Sequence, residues 1–429
     1  MRTVLLFTVS IPIFLNGCYT NPPWSVKARL EAVSAAQAAL NKSSSRNKSS
    51  DEWLNPLSPV NPYDTVLTSK RRSSSLEQQN TVLGTTFRVN STVSVPLIPI
   101  TQTCEGMKLG MYIWEQSHWQ SGNTHFARHL TGPNAQRWTC GDIYINVADY
   151  SNAESIKDSA MLLPFIINAR RAGNRGVIWL TYGDVVERNF AACKAFANTF
   201  FKWLSTIPDE WVDVVRPIGL SYDIENFPVG VLREVILDAQ ERKIKHNFRF
   251  GQGGILVQCT VENHEKFAET DIVMRFADRA LMMAYRNSLG GSGKEDDGLI
   301  ERLRWMFTKQ CKRCLDDAYA TEHYKAKVTV LVETACKLGK SCSYISFCAF
   351  DGLGNRGGIE YLGATLKELD RRLISDGILT EAQRNRLFSS TAPFAVHDWD
   401  WFRCFYQDEH DSNGRCSSYH SFSATCRAS

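Results

Sequence analysis

The sequence lacks several features that mark common functional classes. Beyond residue 15 it has no apolar run near the ~20 residues that a membrane-spanning helix needs, so we expect no stable membrane span. Residues 104–429 carry 39 Lys and Arg against 40 Asp and Glu, and this neutral balance argues against nucleic acid as a partner. The first predicted strand is not followed by the glycine-rich turn of a dinucleotide site, and no cofactor is expected.

The first residues have the layout of a cleavable signal peptide. In MRTVLLFTVSIPIFLNG, one arginine precedes a short apolar run from Val4 to Leu15 that ends in small or polar residues. We therefore expect residues 1–18 to be a leader and the chain to be secreted or to reside in the secretory-pathway lumen. The alternative is a bacterial lipoprotein box, LNGC, which would leave a lipid anchor at Cys18.

Cysteine usage also favours export. Of 13 cysteines, 12 follow Cys18, an even number that predicts several disulfides in an oxidising compartment. Cys311 and Cys314 form a CxxC, but no second CxxC or spaced histidine pair follows. We therefore expect disulfide partners for these two cysteines, and no metal site.

Residues 19–103 differ in composition from the rest of the chain. They are rich in Ser, Asn, Thr and Pro and hold three glycosylation sequons, at Asn41, Asn47 and Asn90. Ten Lys and Arg against five Asp and Glu in residues 1–103 account for the positive net charge. We interpret 19–103 as a disordered linker or pro-region of a glycoprotein.

From residue 104 to 429, short apolar runs alternate with helical patterns. Strict alternation of strand and helix predicts a parallel sheet with crossover helices, and eight repeats favour closure into a (β/α)8 TIM barrel. The eight predicted strands are 108–114, 142–149, 176–182, 218–225, 255–261, 280–285, 327–333 and 393–399. The predicted helices are 152–172, 190–204, 229–245, 262–279, 299–324 and 359–373.

The fourth predicted strand carries two acids on one face. Because side chains alternate along a strand, Asp223 and Glu225 point the same way as Gly219 and Ser221, while the intervening residues are apolar. Active sites of β/α barrels lie at the carboxyl ends of strands, and two close carboxylates raise the pKa of one of them. This favours a general acid at Glu225, although a structural carboxylate bonded to neighbouring strands or to Arg286 is the alternative.

Two short motifs resemble family 18 glycoside hydrolases, which are chitinase-like barrels. IGLSYDIENF is similar to the family's D-x-x-D-x-D-x-E, with its last aspartate at Asp223 and its glutamate at Glu225. The two earlier aspartates fall on Ile218 and Ser221. Met283-Ala-Tyr285 resembles the M-x-Y of strand six, followed here by Arg286 where an acid often stands.

The resemblance implies roles for these residues. Glu225 would be the acid/base, the substrate's N-acetyl group would attack the anomeric carbon, Asp223 would orient it, and Tyr285 would support the intermediate. Because the outer aspartates are missing, Glu333 at the end of strand seven is an alternative nucleophile for a retaining glycosidase.

Aromatic and polar residues at other strand ends suit a sugar site, since a pyranose offers apolar faces and hydroxyls. The predicted substrate-binding residues are Glu333, Tyr182, Asp149, Arg286, His397 and Trp399. Each has a structural alternative: Asp149 could cap the next helix, His397 could be a hydrogen-bonded structural histidine, and a tryptophan could belong to the core.

Three functions follow from these residues. The first is a glycosidase acting on β-linked glycans, and the second is a chitinase-like carbohydrate-binding protein without turnover. The third is a metal-dependent hydrolase that would use Asp149, Glu225, Glu333, His397 and Asp398. The sequence makes no prediction of the oligomeric state.

Overall fold

A computed structural model describes most of the predicted barrel domain and a short segment before it. The described residues are 86–89, 93–96, 108–114, 119, 141–149, 153–157, 159–184, 190–224, 228–262, 267–290, 298–335, 341–350 and 357–398. Two short strands, β1 (Thr86–Val89) and β2 (Val93–Pro96), pair antiparallel. They lie inside the segment 19–103 that was interpreted as a linker or pro-region.

Eight further strands form one closed parallel barrel, which confirms the predicted fold. Each strand pairs with the next in the chain, and the last pairs with the first. The strands are β3 (Leu109–Ile113), β4 (Ile143–Asp149), β5 (Ile178–Asp184), β6 (Ile218–Ile224), β7 (Ile255–Val261), β8 (Arg279–Met283), β9 (Lys327–Glu333) and β10 (Phe394–His397).

Helices follow most of the strands and surround the barrel. They are α1 (Ser159–Arg171), α2 (Phe190–Thr206), α3 (Asp209–Val215), α4 (Val229–Phe250), α5 (Phe267–Phe276), α6 (Leu299–Trp305), α7 (Asp317–His323), α8 (Cys342–Ile345), α9 (Gly357–Ser375) and α10 (Glu381–Leu387). A π-helical segment, Met306–Gln310, follows α6, and a 3-10 helix spans Phe347–Phe350. The single helix predicted over 299–324 is therefore divided, and a turn closed by the Cys311–Cys314 disulfide separates its parts.

The cysteines are only partly as predicted. Cys311 and Cys314 are bonded to each other, and Cys348 is also in a disulfide. Cys193 and Cys259 are instead buried thiols. Burial, together with these two nearby cysteines, raises the pKa of the Tyr222 hydroxyl. That hydroxyl donates a hydrogen bond to the Cys193 carbonyl. Close packing in the layer between barrel and helices therefore accommodates thiols that an even cysteine count assigned to disulfides.

Alternation along the strands sends two sets of side chains to two cores. One set packs outward against the helices, and Tyr182 on β5 and Tyr222 on β6 belong to it. The other set fills the barrel interior. It comprises Tyr112, Tyr144, Val177, Trp179, Leu281, Met283, Leu331 and Ala395, with Trp114, Leu256 and Tyr285 packed against them.

The interior is closed at the amino ends of the strands by a polar cluster around Asp142. Its carboxylate accepts hydrogen bonds from Trp179 Nε1 at 3.0 Å and from the Val177 amide at 2.9 Å, and Arg279 Nη2 lies 3.8 Å away. Gly219 on β6 makes room for the indole, because a Cβ there would stand 2.0 Å from a Trp179 ring atom. These side chains are buried and fill the amino-terminal end of the barrel, so we expect a ligand to enter at the carboxyl ends of the strands.

Within the described residues, no helix is long and apolar enough to span a membrane. The same residues contain no group of three or more His, Cys, Asp or Glu side chains arranged to hold a metal ion.

Candidate active site at the carboxyl ends of the strands

The barrel brings polar side chains from three neighbouring strands and from one strand across the interior to the same mouth. Tyr112 comes from β3, Asp223 from β6 and Glu333 from β9, while His397 ends β10. Tyr285 lies two residues beyond β8 and packs against the interior core. Asp223, Glu333 and His397 were predicted at the carboxyl ends of three strands, and the closed barrel places these three ends at one mouth.

Asp223 is a half-buried carboxyl group held by a tyrosine. Tyr112 Oη donates a hydrogen bond to Asp223 Oδ2 at 3.0 Å, and the backbone of Asp223 pairs with that of Gly183. Burial raises the pKa of Asp223, while the nearby His397 charge and the Tyr112 hydrogen bond oppose that rise. Burial and the Asp223 charge in turn raise the pKa of the Tyr112 hydroxyl, which keeps it a hydrogen-bond donor.

A second chain of hydrogen bonds runs from Glu333 through His397 to Trp114. Glu333 Oε2 lies 2.7 Å from His397 Nδ1, and Trp114 Nε1 donates to His397 Nε2 at 2.7 Å. The other oxygen, Glu333 Oε1, accepts from the amides of Thr334 and Ala335, each at 2.8 Å. Both carboxylate oxygens of this buried side chain are therefore committed to the protein, which does not fit the alternative of Glu333 as nucleophile.

The proton on His397 is fixed by its two neighbours. An indole N–H can only donate, so the bond from Trp114 requires a lone pair on Nε2 and places the proton on Nδ1, facing Glu333. Burial lowers the pKa of His397, but the charge and hydrogen bond of Glu333 outweigh burial and raise the pKa to about 9. The negative charge of Glu333 therefore favours the protonated imidazolium form of His397. The 2.7 Å hydrogen bond from Trp114 instead requires the neutral ring, because Nε2 must accept it.

Aromatic rings form one wall of the mouth. Tyr112 stacks on Trp114 with ring centroids 4.7 Å apart and on Tyr144 at 5.4 Å. The Tyr285 ring lies 5.9 Å from that of His397. Flat apolar faces beside a carboxyl group suit a sugar ring, which presents C–H faces and hydroxyls.

A glycine on β5 allows Trp114 to reach this position. A Cβ at Gly183 would lie 3.0 Å from a Trp114 ring atom, closer than side chains normally pack. The Gly183 backbone pairs with Asp149 on one side and Asp223 on the other. The absence of a side chain at Gly183 thus lets the indole lie close to the strand that carries Asp223.

Several predicted site residues are placed differently or lie outside the described residues. Glu225 and Trp399 are outside, and of Asp149 only the backbone, at the end of β4, is described. Tyr182 is fully buried on the outer face of β5, where its ring stacks on Phe196 of α2 at 5.5 Å. Its prediction as a substrate contact is therefore wrong, because strand alternation turns it away from the mouth.

Arg286 is close to the mouth but bonded locally. Its Nη1 donates to the Tyr285 carbonyl at 2.6 Å, and its guanidinium lies 5.7 Å from the centre of the Tyr344 ring. Tyr112 is the important residue that sequence reasoning missed. Gly110 and Tyr112 on β3, with Trp114 directly after the strand, were the available signal, since alternation places all three on one face.

No protein-family model matches the chain, and no curated protein sequence matches it. Matching solved structures include a GH18 chitinase from Cycas revoluta in complex with (GlcNAc)3, at 12% identity and a TM-score of 0.35, covering 52% of this chain and 68% of that one. The catalytic domain of a GH18 chitinase from the fern Peteris ryukyuensis matches at 9% identity and a TM-score of 0.36, covering 75% and 100%.

The spore cortex-lytic enzyme SleL of Bacillus cereus matches at 10% identity and a TM-score of 0.31, covering 56% of this chain. The chain spans about half of SleL, 53% of its length. The likeness concerns the fold, which the closed strand order of the barrel establishes by itself.

Proposed function

We propose that this chain is a secreted glycoside hydrolase that cleaves β-linked glycans containing N-acetylhexosamine at the carboxyl-end mouth of its barrel. The observation that carries the proposal is the setting of Asp223. Its half-buried carboxyl group is held by Tyr112, has a raised pKa and stands among aromatic rings. A carboxyl group fixed by a hydrogen bond beside apolar ring faces is suited to orient the acetamido group of a sugar, which is the role that the proposal gives to Asp223.

Glu225 completes the carboxyl pair in this proposal. It follows Asp223 by two residues, and on extended chain such residues project to the same side about 7 Å apart along the backbone. Glu225 donates its proton to the glycosidic oxygen as the bond to the anomeric carbon breaks. Asp223 orients the substrate's acetamido group and stabilises the charge that develops on it, and Tyr285 supports the intermediate.

The engagement of Glu333 supports a substrate-assisted reaction. A retaining glycosidase that uses two protein carboxylates needs a nucleophile about 5 Å from the acid, with an oxygen facing the sugar. Glu333 has one oxygen bonded to His397 and the other to two backbone amides. The acetamido oxygen of the substrate then supplies the nucleophile, which is the reason for proposing N-acetylhexosamine.

The second candidate is a carbohydrate-binding protein without turnover. Ser221 stands where the resembled motif has an aspartate, and its Oγ accepts a hydrogen bond from Gln258 Nε2 at 2.9 Å. This interior position is therefore neutral. A binding protein retains the aromatic wall and Asp223 but does not need an acid at Glu225.

The test is the release of nitrophenol from a panel of nitrophenyl β-glycosides and N-acetylated oligosaccharide derivatives. We expect turnover by the wild-type chain and a loss of 10²-fold to about 10⁴-fold in Glu225→Gln, the usual range for a general acid. The matched control is Glu210→Gln, the same chemical change at an exposed position on α3. Equal rates for wild type and Glu225→Gln would remove Glu225 from catalysis, and glycan binding without release by the wild type would favour the second candidate.

We also propose export. The apolar run Val4–Leu15 and the Cys311–Cys314 disulfide support passage through an oxidising compartment. N-terminal sequencing of protein expressed in a secretory host tests it. A new N-terminus near residue 19 is expected, whereas a diacylated Cys18 indicates the lipid anchor, and an intact Met1 inside the cell contradicts export.

A further inference from the structure

Helix α4 has two apolar faces, of which the barrel explains one. Its buried apolar residues are Leu232, Val235, Ile236, Ala239 and Phe250, which belong to the core around the barrel. Leu237, Ile244 and Phe248 are exposed, and we call them the outer stripe. At 100° per residue, the three members of the outer stripe fall within about 40° of each other, opposite the buried face.

The outer stripe is costly to leave in water. Phe248 is 88% exposed, Ile244 68% and Leu237 38%, and the three follow one another at spacings of seven and four residues. Single exposed apolar residues are ordinary, but a row on one helix face marks a contact surface. Among the described residues, these are three of the five large apolar side chains with such exposure.

One acidic and one basic side chain border the outer stripe on the same flank, so a second copy of the helix in the opposite direction would place opposite charges against each other. Glu241 and Lys245 form an ion pair at 2.7 Å along one flank, with side chains 69% and 67% exposed, respectively. We propose that the outer stripe is the contact of a homodimer, in which α4 packs antiparallel against α4 of a second copy.

A twofold axis that passes between the two α4 helices near residues 242 and 243 pairs both the apolar residues of the outer stripe and the charged residues beside it. It sets Leu237 of each copy against Phe248 of the other, with the two Ile244 side chains near the axis. It also sets Glu241 of each copy against Lys245 of the other, because a twofold axis of an antiparallel pair keeps each flank facing its own counterpart. One acid and one base of each copy then form a four-residue charge network.

The neighbouring surface supplies a polar rim. A cleft of about 350 Å³ between α2 and α4 opens beside the same flank, and it is lined by Lys202, Asp238, Arg242 and His246 among others. An apolar centre with a polar border is the usual anatomy of a protein–protein interface. A second copy is favoured over a different protein because, when α4 is reversed, its apolar residues face the apolar residues of the original helix and its acid faces the base of the original helix.

Sedimentation velocity of the full-length chain over a range of concentrations tests the proposal. We expect a concentration-dependent dimer for the wild type, and at least a hundredfold weaker association for Ile244→Glu, which places two carboxylates at the axis. Ile244 is exposed, so the thermal unfolding midpoint should be unchanged when both proteins are measured at a concentration where they are monomeric. Glu322→Gln, a substitution at an exposed position of α7 outside the proposed contact, should leave association unchanged.

Charge reversal provides a second test that does not alter the apolar contact. Glu241→Lys and Lys245→Glu should each weaken association about tenfold at low salt, and the double variant should recover it because the pairs re-form with opposite polarity. A wild-type chain that stays monomeric at about 100 µM overturns the proposal. So does a dimer that Ile244→Glu leaves intact, since its contact then lies elsewhere.

Discussion

Tyr112 donates its phenolic hydrogen bond to Asp223 across the mouth of the barrel, from the first barrel strand to the fourth. This bond crosses the interior, because β3 and β6 are not neighbours in the sheet. It joins the aromatic wall to the carboxyl group that we propose for catalysis.

Replacing Tyr112 by phenylalanine should raise the pKa of Asp223 further. In the wild type, the hydrogen bond from Tyr112 stabilises the ionised carboxylate and so lowers the pKa of Asp223. Without it, burial raises this pKa with less opposition. The acidic limb of the pH dependence of kcat/KM should move to higher pH, with a stability loss of about 1 kcal/mol from the lost hydrogen bond. Tyr344→Phe is the matched control, because the Tyr344 hydroxyl bonds only to Ser341 on the surface among the described residues. A limb that moves to lower pH contradicts the argument.

Replacing Trp114 by phenylalanine should raise the pKa of His397. The indole N–H occupies Nε2 and favours the neutral ring, while Glu333 favours the cation. Without the indole donor, only the influence of the acids and of burial remains. Histidine NMR titration measures the shift, with His397→Asn to assign the resonance. An unchanged or lower pKa would show that the Trp114 bond does not control this proton.

Replacing Glu333 by glutamine should destabilise the fold more at low pH than at high pH. The pKa of His397 lies above its ordinary 6.5, at about 9, so the ion pair contributes fully below pH 6.5 and its contribution is lost as the pH rises through 9. We expect a loss of about 2 kcal/mol near pH 6 and a smaller loss near pH 10, measured by urea unfolding. A larger loss at pH 10 has the wrong sign for this linkage.

Replacing Gly219 by alanine should destabilise the barrel. The new Cβ would stand 2.0 Å from the Trp179 ring, so either the indole or strand β6 must shift, at a cost of about 3 kcal/mol. Gly230→Ala on α4 is the matched control, since a Cβ there meets nothing within 4 Å. It should be neutral or stabilising by roughly 0.5 kcal/mol. Equal unfolding free energies for the two variants would contradict the described packing.

Much of the fold could be predicted from the sequence, because strand and helix periodicities are local. All eight barrel strands were predicted within a few residues, and alternation along the fourth barrel strand placed Asp223 on the inward face, where it accepts the hydrogen bond from Tyr112. The prediction of Tyr182 as a substrate contact was wrong because β5 continues to Asp184. The tyrosine therefore lies within the strand, on its outward face, and not at its carboxyl end. The bonds of Glu333 to two amides could not be predicted, since they depend on the turn after β9.

The division of the helix predicted over 299–324 has a similar cause. The apolar pattern continues through Met306–Gln310, yet the chain there adopts a π-helical segment and then a disulfide-closed turn. Pairing of Cys311 with Cys314 is a choice among many possible partners, and sequence order does not determine it. Geometry of this kind arises from tertiary packing rather than from local periodicity.

The most direct test of the central claim is the position of a bound glycan. Crystals of Glu225→Gln soaked with a β-1,4-linked N-acetylglucosamine tetramer should show an intact sugar chain at the barrel mouth. We predict one ring against Trp114 and an acetamido group within hydrogen-bond distance of Asp223. Sugar density found only at another surface, or a mouth that stays empty while the tetramer binds in solution, would contradict the account.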